Sequence, residues 1–168
     1  FAPFSSYADN FKVVAKGSLK YYNTELQMEV PLNTIEVQLW DSDVPDASTI
    51  IDDFMGTTFT DSNGNFEITG EGGDPFHYSY SRPDVYLRVV LRDPSGLVKI
   101  SDELNHVQSY IIGIHEFDNV EGIVNFNSRV IDSGAQPKYG TKMMVFQASF
   151  SAWKEFVDNY GTPPSGFY

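Results

Sequence analysis

The chain has 168 residues, no cysteine and a formal net charge of −12. This length suits one domain with its own core, and the missing thiols exclude a disulfide framework and a thiolate metal centre. The charge opposes binding to nucleic acid or to anionic membranes, and no apolar run approaches the roughly 18 residues of a spanning helix. A basic partner, bound Ca²⁺ or simple solubility all fit so acidic a surface. The apolar residues lean to Val, Ile and aromatics, with 13 Phe, 10 Tyr and 2 Trp; such side chains suit pleated surfaces and protein interfaces.

In chain order, residues 1–10 carry Phe1, Phe4 and Tyr7 without periodicity and read as an arm. The start Phe1-Ala2-Pro3-Phe4 points to an N-terminus made by removal of a signal peptide, and therefore to a secreted, extracellular protein. Phe11 to Tyr22 can form a first strand, with Gly17 as a bulge or close approach. From Thr34 to Trp40 the alternation is clean. Ile35, Val37 and Leu39 fall on one face, and Thr34, Glu36, Gln38 and Trp40 fall on the other. An acidic loop runs from Asp41 to Asp46, followed by a segment ending in Asp52-Asp53. Around Asn63-Gly64, the residues Thr58, Thr60, Phe66 and Ile68 read as the two arms of a hairpin, with Asp61 capping the turn and Gly64 free to take positive φ.

Residues 70–84 are rich in Gly, Asp, Ser and Pro and read as a long surface loop. Val85 to Leu91 predicts a central strand, and Asp93-Pro94-Ser95-Gly96 a turn leading to Leu97–Ile100. Further strands are expected at Ser109–Ile114 and Gly122–Val130. From Met143 the apolar residues Phe146, Phe150, Trp153, Val157 and Tyr160 recur at helical spacing, which predicts an amphipathic helix over 142–160. Thr141 is its expected N-cap, Gly161 its C-cap, and Pro163-Pro164 blocks continuation. The organisation expected is an arm at 1–10, a β-sandwich domain at 11–140, and a helix and tail at 141–168 packed on that domain.

Several of these segments together resemble the transthyretin-like family of extracellular proteins, over about residues 13–92. They are Gly17-Ser18-Leu19, the strand Ile35–Trp40 ending in Asp41-Ser42-Asp43, Ile51–Gly56, the Thr60–Gly70 motif around Asn63-Gly64, and Pro83–Val89. The resemblance implies a mainly β, prealbumin-like (immunoglobulin-like) antiparallel sandwich that binds or assembles and does not catalyse. The chain departs from the family in lacking its usual cysteines, in a longer connection at 23–33 and in the C-terminal helix. An enzyme of similar architecture, the hydrolase of 5-hydroxyisourate, needs a His-Arg-His set and a terminal Tyr-Arg-Gly-Ser/Thr. This chain ends Ser165-Gly166-Phe167-Tyr168 instead.

Candidate chemistry is sparse. Asp41, Asp43, Asp46, Asp52 and Asp53 could supply several oxygens to Ca²⁺, although their spacing is not that of an EF-hand; a solvated acidic loop is the plainer explanation. His77, His106 and His115 are scattered, and His115-Glu116 lacks the second histidine of a zinc-protease motif because residue 119 is Asn. No serine-nucleophile elbow or phosphate loop occurs. The aromatic ends Phe1, Phe4, Tyr7, Phe11, Phe167 and Tyr168 either fold back on the core or dock on a neighbouring copy. The reading is thus a non-enzymatic extracellular structural or interaction module, self-assembling into an oligomer or filament through aromatic termini and sheet edges. One alternative is a Ca²⁺-stabilised secreted domain that binds a hydrophobic ligand or another extracellular protein. A second is an accessory domain of a larger enzyme.

Overall fold

The structure, a computed structural model, describes residues 11–42, 52–72, 82–131 and 137–162. Within these residues eight strands and one helix follow in order: β1 (Phe11–Asn23), β2 (Met28–Pro31), β3 (Glu36–Asp41), β4 (Asp53–Phe59), β5 (Asn65–Gly72), β6 (Val85–Val90), β7 (Ser109–Phe117), β8 (Gly122–Ile131) and α1 (Pro137–Tyr160). One sheet is organised around the long β1, which pairs antiparallel with β2 and β5 and parallel with β8. The other runs β4-β3-β6-β7 and is antiparallel throughout. The expected β-sandwich is therefore present, with one parallel pair where an antiparallel sheet was expected.

The inner faces follow from period-two alternation. Val13, Ala15, Leu19, Phe66, Ile68, Val124 and Phe126 of the first sheet meet Val37, Leu39, Leu87, Val89 and Ile112 of the second, and all are buried. Burying one such side chain fully is worth about 1.5–3 kcal/mol, so these rows dominate the stability of the domain.

The segment around Asn63-Gly64 is not a hairpin. Its turn chemistry is as expected: Asp61 Oδ1 accepts the backbone N–H groups of Asn63 and Asn65, each at 2.8 Å, and Gly64 has φ +78°. But β4 belongs to one sheet and β5 to the other. The turn is a corner that carries the chain between layers. Away from the corner the strands still approach face to face: a Cβ on Gly70 would lie 2.7 Å from that of Met55, and one on Gly56 2.9 Å from the Thr69 carbonyl. Only glycine leaves room for so close an approach at these two positions. Of the predicted 70–84 loop, the first residues extend β5 to Gly72.

The connection at 23–33 contains the β1–β2 turn, capped by the Asn23 side chain, which accepts the N–H groups of Glu25 and Leu26. At the Asp93 turn, Gly96 N–H donates to the Asp93 carbonyl at 3.0 Å, while the buried Asp93 carboxylate accepts from Val98 N–H at 2.9 Å.

Helix α1 begins at Pro137, so Thr141 lies inside it and is not its cap. Proline suits a first helical turn because its missing N–H would have no partner there. The other end is as expected, with Gly161 at φ +80° and its N–H donating to the Val157 carbonyl at 2.8 Å. Met143 and Phe146 enter the core completely, and Gln147 holds the backbone of Asn33, donating to its carbonyl at 2.8 Å.

A polar outer face and an aromatic helix end

Side chains of β3 and β6 that point away from the core form a continuous polar network across the outer face of the second sheet. The register sets Gln38 opposite Arg88 and Trp40 opposite Tyr86. Arg92 donates to Glu36 Oε2 at 2.6 Å, Gln38 Nε2 donates to Glu36 Oε1 at 2.6 Å, and Trp40 Nε1 donates to Gln38 Oε1 at 3.0 Å. The Arg88 guanidinium lies over the Trp40 ring, 4.3 Å from its centroid, and donates to the Tyr86 hydroxyl at 3.3 Å. Tyr86 in turn donates to Asp52 Oδ2 at 2.7 Å. Phe54 closes the row with its ring edge-on to Trp40 at 5.5 Å.

This network is unusual for the outside of a sandwich because much of it is dry. Glu36 is 2% exposed and Tyr86 0%. Burial, reinforced by the hydrogen bond to Asp52, raises the Tyr86 phenol well above its ordinary range. Tyr86 is therefore a neutral donor at physiological pH and not an acid–base group. A guanidinium stacked on Trp and shielded from water contributes about 1–2 kcal/mol. The arrangement clamps β3 to β6 and presents no activated nucleophile.

The predicted acidic site divides. Asp41 and Asp53 face each other in the β3–β4 ladder, with Asp41 buried and Asp53 exposed. Asp41 Oδ1 accepts the Asp84 N–H at 2.8 Å, whereas Asp52 turns to Tyr86. Asp43 and Asp46 lie outside the described residues. Among the described residues no group of three His, Asp or Glu side chains converges in a metal-binding arrangement. His106 is exposed and lies 3.3 Å from Asp102, and His77 falls outside the described residues.

Of the predicted aromatic contacts, Phe11 is half-buried beneath the Arg82 guanidinium, 5.9 Å from its ring centroid. Phe1, Phe4, Tyr7, Phe167 and Tyr168 lie outside the described residues. A second aromatic surface lies on α1. Beyond Phe146 the buried stripe continues as Phe150, Trp153 and Val157, all half-buried, and ends in Tyr160, which is 80% exposed. With Phe156 beside the stripe, the rings of the helix form two groups, Phe146–Phe150 with centroids at 6.4 Å, and Trp153–Phe156–Tyr160 with centroids at 5.9 Å and 5.3 Å. The helical spacing predicted the stripe Met143, Phe146, Phe150, Trp153, Val157 and Tyr160, but not the part of Phe156 in these ring contacts. The outer network was less visible, although its signal was present in the i, i+2 series Glu36-Gln38-Trp40 and Tyr86-Arg88.

The strands β2 to β6, with the corner at Asp61–Gly64, lie within the part of the chain that matches a known family. Residues 28–93 match the model of one family. The match is to the transthyretin-like family TTR-52, a generally non-enzymatic family, and agrees with the two-sheet architecture. It stops short of β7, β8 and α1, so the helix lies beyond the transthyretin-like segment. No curated protein matches the chain. Among solved structures, a 9R-lipoxygenase from Cyanothece PCC8801 is similar over 75% of this chain at 26% identity and a TM-score of 0.46, and the match spans 18% of the lipoxygenase. The major plantain pollen allergen Pla l 1 is similar over 74% of this chain and 99% of its own, at 14% identity and a TM-score of 0.31. At these scores neither likeness bears on the activity of this chain. No described helix is long and apolar enough to cross a membrane.

Proposed function

We propose that this chain is a non-enzymatic, secreted interaction module that associates with further copies of itself through aromatic surfaces, one of them the distal end of α1. The observation that carries this reading is the change in burial along one helical stripe. Met143 and Phe146 are fully buried in the domain, but the same stripe runs on to Tyr160 at 80% exposure, with Phe156 beside it at 44%. Aromatic side chains left at a surface favour protein contacts, because they offer large apolar area at low conformational cost. The transthyretin-like match of residues 28–93 supports the non-enzymatic part, as does the outer network, whose titratable groups are engaged in holding strands together. The aromatic termini, Phe1, Phe4 and Tyr7 with Phe167 and Tyr168, would add to the same adhesive character.

The test is sizing by light scattering over a wide concentration range. Wild type should show concentration-dependent association, which Phe156→Glu with Tyr160→Glu reduces and deletion of residues 1–10 reduces further, with unchanged circular dichroism. Wild type that stays monomeric at every concentration would sink the self-associating reading.

A further inference from the structure

The corner between the two sheets contains Asn63-Gly64, the only Asn-Gly pair in the chain. This dipeptide has intrinsic chemistry. When the peptide nitrogen of the residue after Asn loses its proton, it can attack the side-chain amide carbon. A C–N bond forms, closing a five-membered succinimide, and the side-chain nitrogen leaves as ammonia. Water then opens the ring at either carbonyl and yields aspartate or isoaspartate. Glycine in the second position removes the side chain that would otherwise hinder closure.

The backbone group that reacts, and the turn around it, are held by Asp61. The attacking nitrogen, that of Gly64, donates its N–H to the Asp61 carbonyl at 3.0 Å. The N–H of Asn63 is fixed by Asp61 Oδ1 at 2.8 Å, and Asn65 anchors the other carboxylate oxygen through its Nδ2 at 3.0 Å. The Gly64 carbonyl, in the next peptide along, is bound by Leu19 N–H at 2.8 Å, so Gly64 is fixed to β1 on its other side as well. Asn63 itself is exposed, which leaves its amide open to water.

We propose that Asn63 is a latent modification site, a succinimide-forming asparagine whose conversion is gated by the Asp61 cap. Conversion to isoaspartate reroutes the backbone through the side-chain carbon and lengthens it between residues 63 and 64. Gly64 can then no longer reach Asp61 and Leu19 together, and the corner that joins β4 to β5 loosens. The gate is self-reinforcing: the native turn suppresses the reaction, and each opening of the turn permits it.

The experiment is incubation of the full chain in mildly alkaline buffer at body temperature, with peptide mapping of the amide-to-acid mass gain and enzymatic isoaspartate detection. Wild type in native buffer should convert at Asn63 at least about tenfold more slowly than in concentrated urea, the factor that one lost hydrogen bond is worth. Asp61→Ala in native buffer keeps the carbonyl that holds Gly64 N–H but removes the carboxylate that fixes Asn63 and Asn65, and should convert several-fold faster than wild type, while Asp61→Asn, which keeps a side-chain acceptor, should stay slow. Asn65→Ala, which loosens the carboxylate and leaves the backbone turn in place, should fall between. Equal native and urea rates for wild type would overturn the gate. So would Asp61→Ala converting no faster than wild type, or a different asparagine converting first in urea.

Discussion

The backbone N–H of Leu19 on β1 donates to the carbonyl of Gly64 at 2.8 Å, and the Gly64 α-carbon faces that same Leu19 so closely that an added Cβ would lie 2.2 Å from its carbonyl oxygen. One contact thus joins the corner between the sheets to the middle of the strand that organises the first sheet. The next hydrogen bond, from Leu32 N–H to the Leu19 carbonyl at 2.9 Å, ties in the entry to β3. Leu19 is the point at which the corner, β1 and the β2–β3 connection meet.

Gly64→Ala should therefore be costly. The left-handed conformation at φ +78° is unfavourable for alanine, and the new methyl group meets backbone on β1 that has no rotamer to yield. A loss of about 2–4 kcal/mol is expected, measured as a fall in denaturation midpoint with unchanged slope.

Glu36 and Arg92 provide a test of the outer network. The carboxylate side chain is 3% exposed and the guanidinium 43%. Arg92→Ala leaves a nearly buried carboxylate with only Gln38 as donor, and solvent at the arginine end moderates the penalty to about 1–3 kcal/mol. Glu36→Gln with Arg92→Met should recover part of that loss, and a double-mutant cycle reads the coupling directly.

Tyr86 should mark the alkaline limit of stability. Its folded-state pKa is raised, by burial first and by the Asp52 hydrogen bond second. The contribution is fully present below about pH 10, where the unfolded phenol is protonated, and is lost as pH rises from there towards the folded value. Ultraviolet titration should show a tyrosine that resists ionisation until the chain unfolds. Tyr86→Phe should abolish that component and cost about 1–2 kcal/mol at neutral pH by leaving Asp52 Oδ2 without its donor.

The acid limb has the opposite sign. Asp61 is held below its ordinary pKa chiefly by the Asn65 side-chain hydrogen bond, and Asp102 chiefly by the backbone N–H of His106. Depressed carboxylates contribute stability that is present above about pH 4 and is lost as pH falls through their folded values. Asn65→Ala should make the fall in Tm below that pH shallower, and a curve identical to wild type would count against the role of this bond.

The two ends of α1 should respond differently to truncation. Phe146→Ala opens a cavity in a fully buried site and should cost about 3–5 kcal/mol. Tyr160→Ala, at 80% exposure, should change stability by no more than about 0.5 kcal/mol, so that any loss of association in this variant reports contact and not folding.

The sequence by itself determined the local features. Alternation in Thr34–Trp40 identified Ile35, Val37 and Leu39 as core side chains, the apolar run Val85–Leu91 identified a central strand, Asp61 and Gly64 specified a turn, and Gly161 specified where the helix stops. These features rest on contacts within a few residues, where periodicity and turn chemistry act.

Tertiary structure decided which strands share a sheet. A turn between β4 and β5 is equally compatible with a hairpin and with a corner, because both need the same capping aspartate and the same positive φ. The choice falls to β1, which takes β5 as its neighbour on one side and β8, in parallel, on the other. The outer network depends on the same long-range pairing: Arg92 reaches Glu36 across 56 positions of sequence, and Tyr86 reaches Asp52 across 34. Burial of Glu36 and Tyr86 follows from those neighbours and not from their own residue types. No local pattern encodes it.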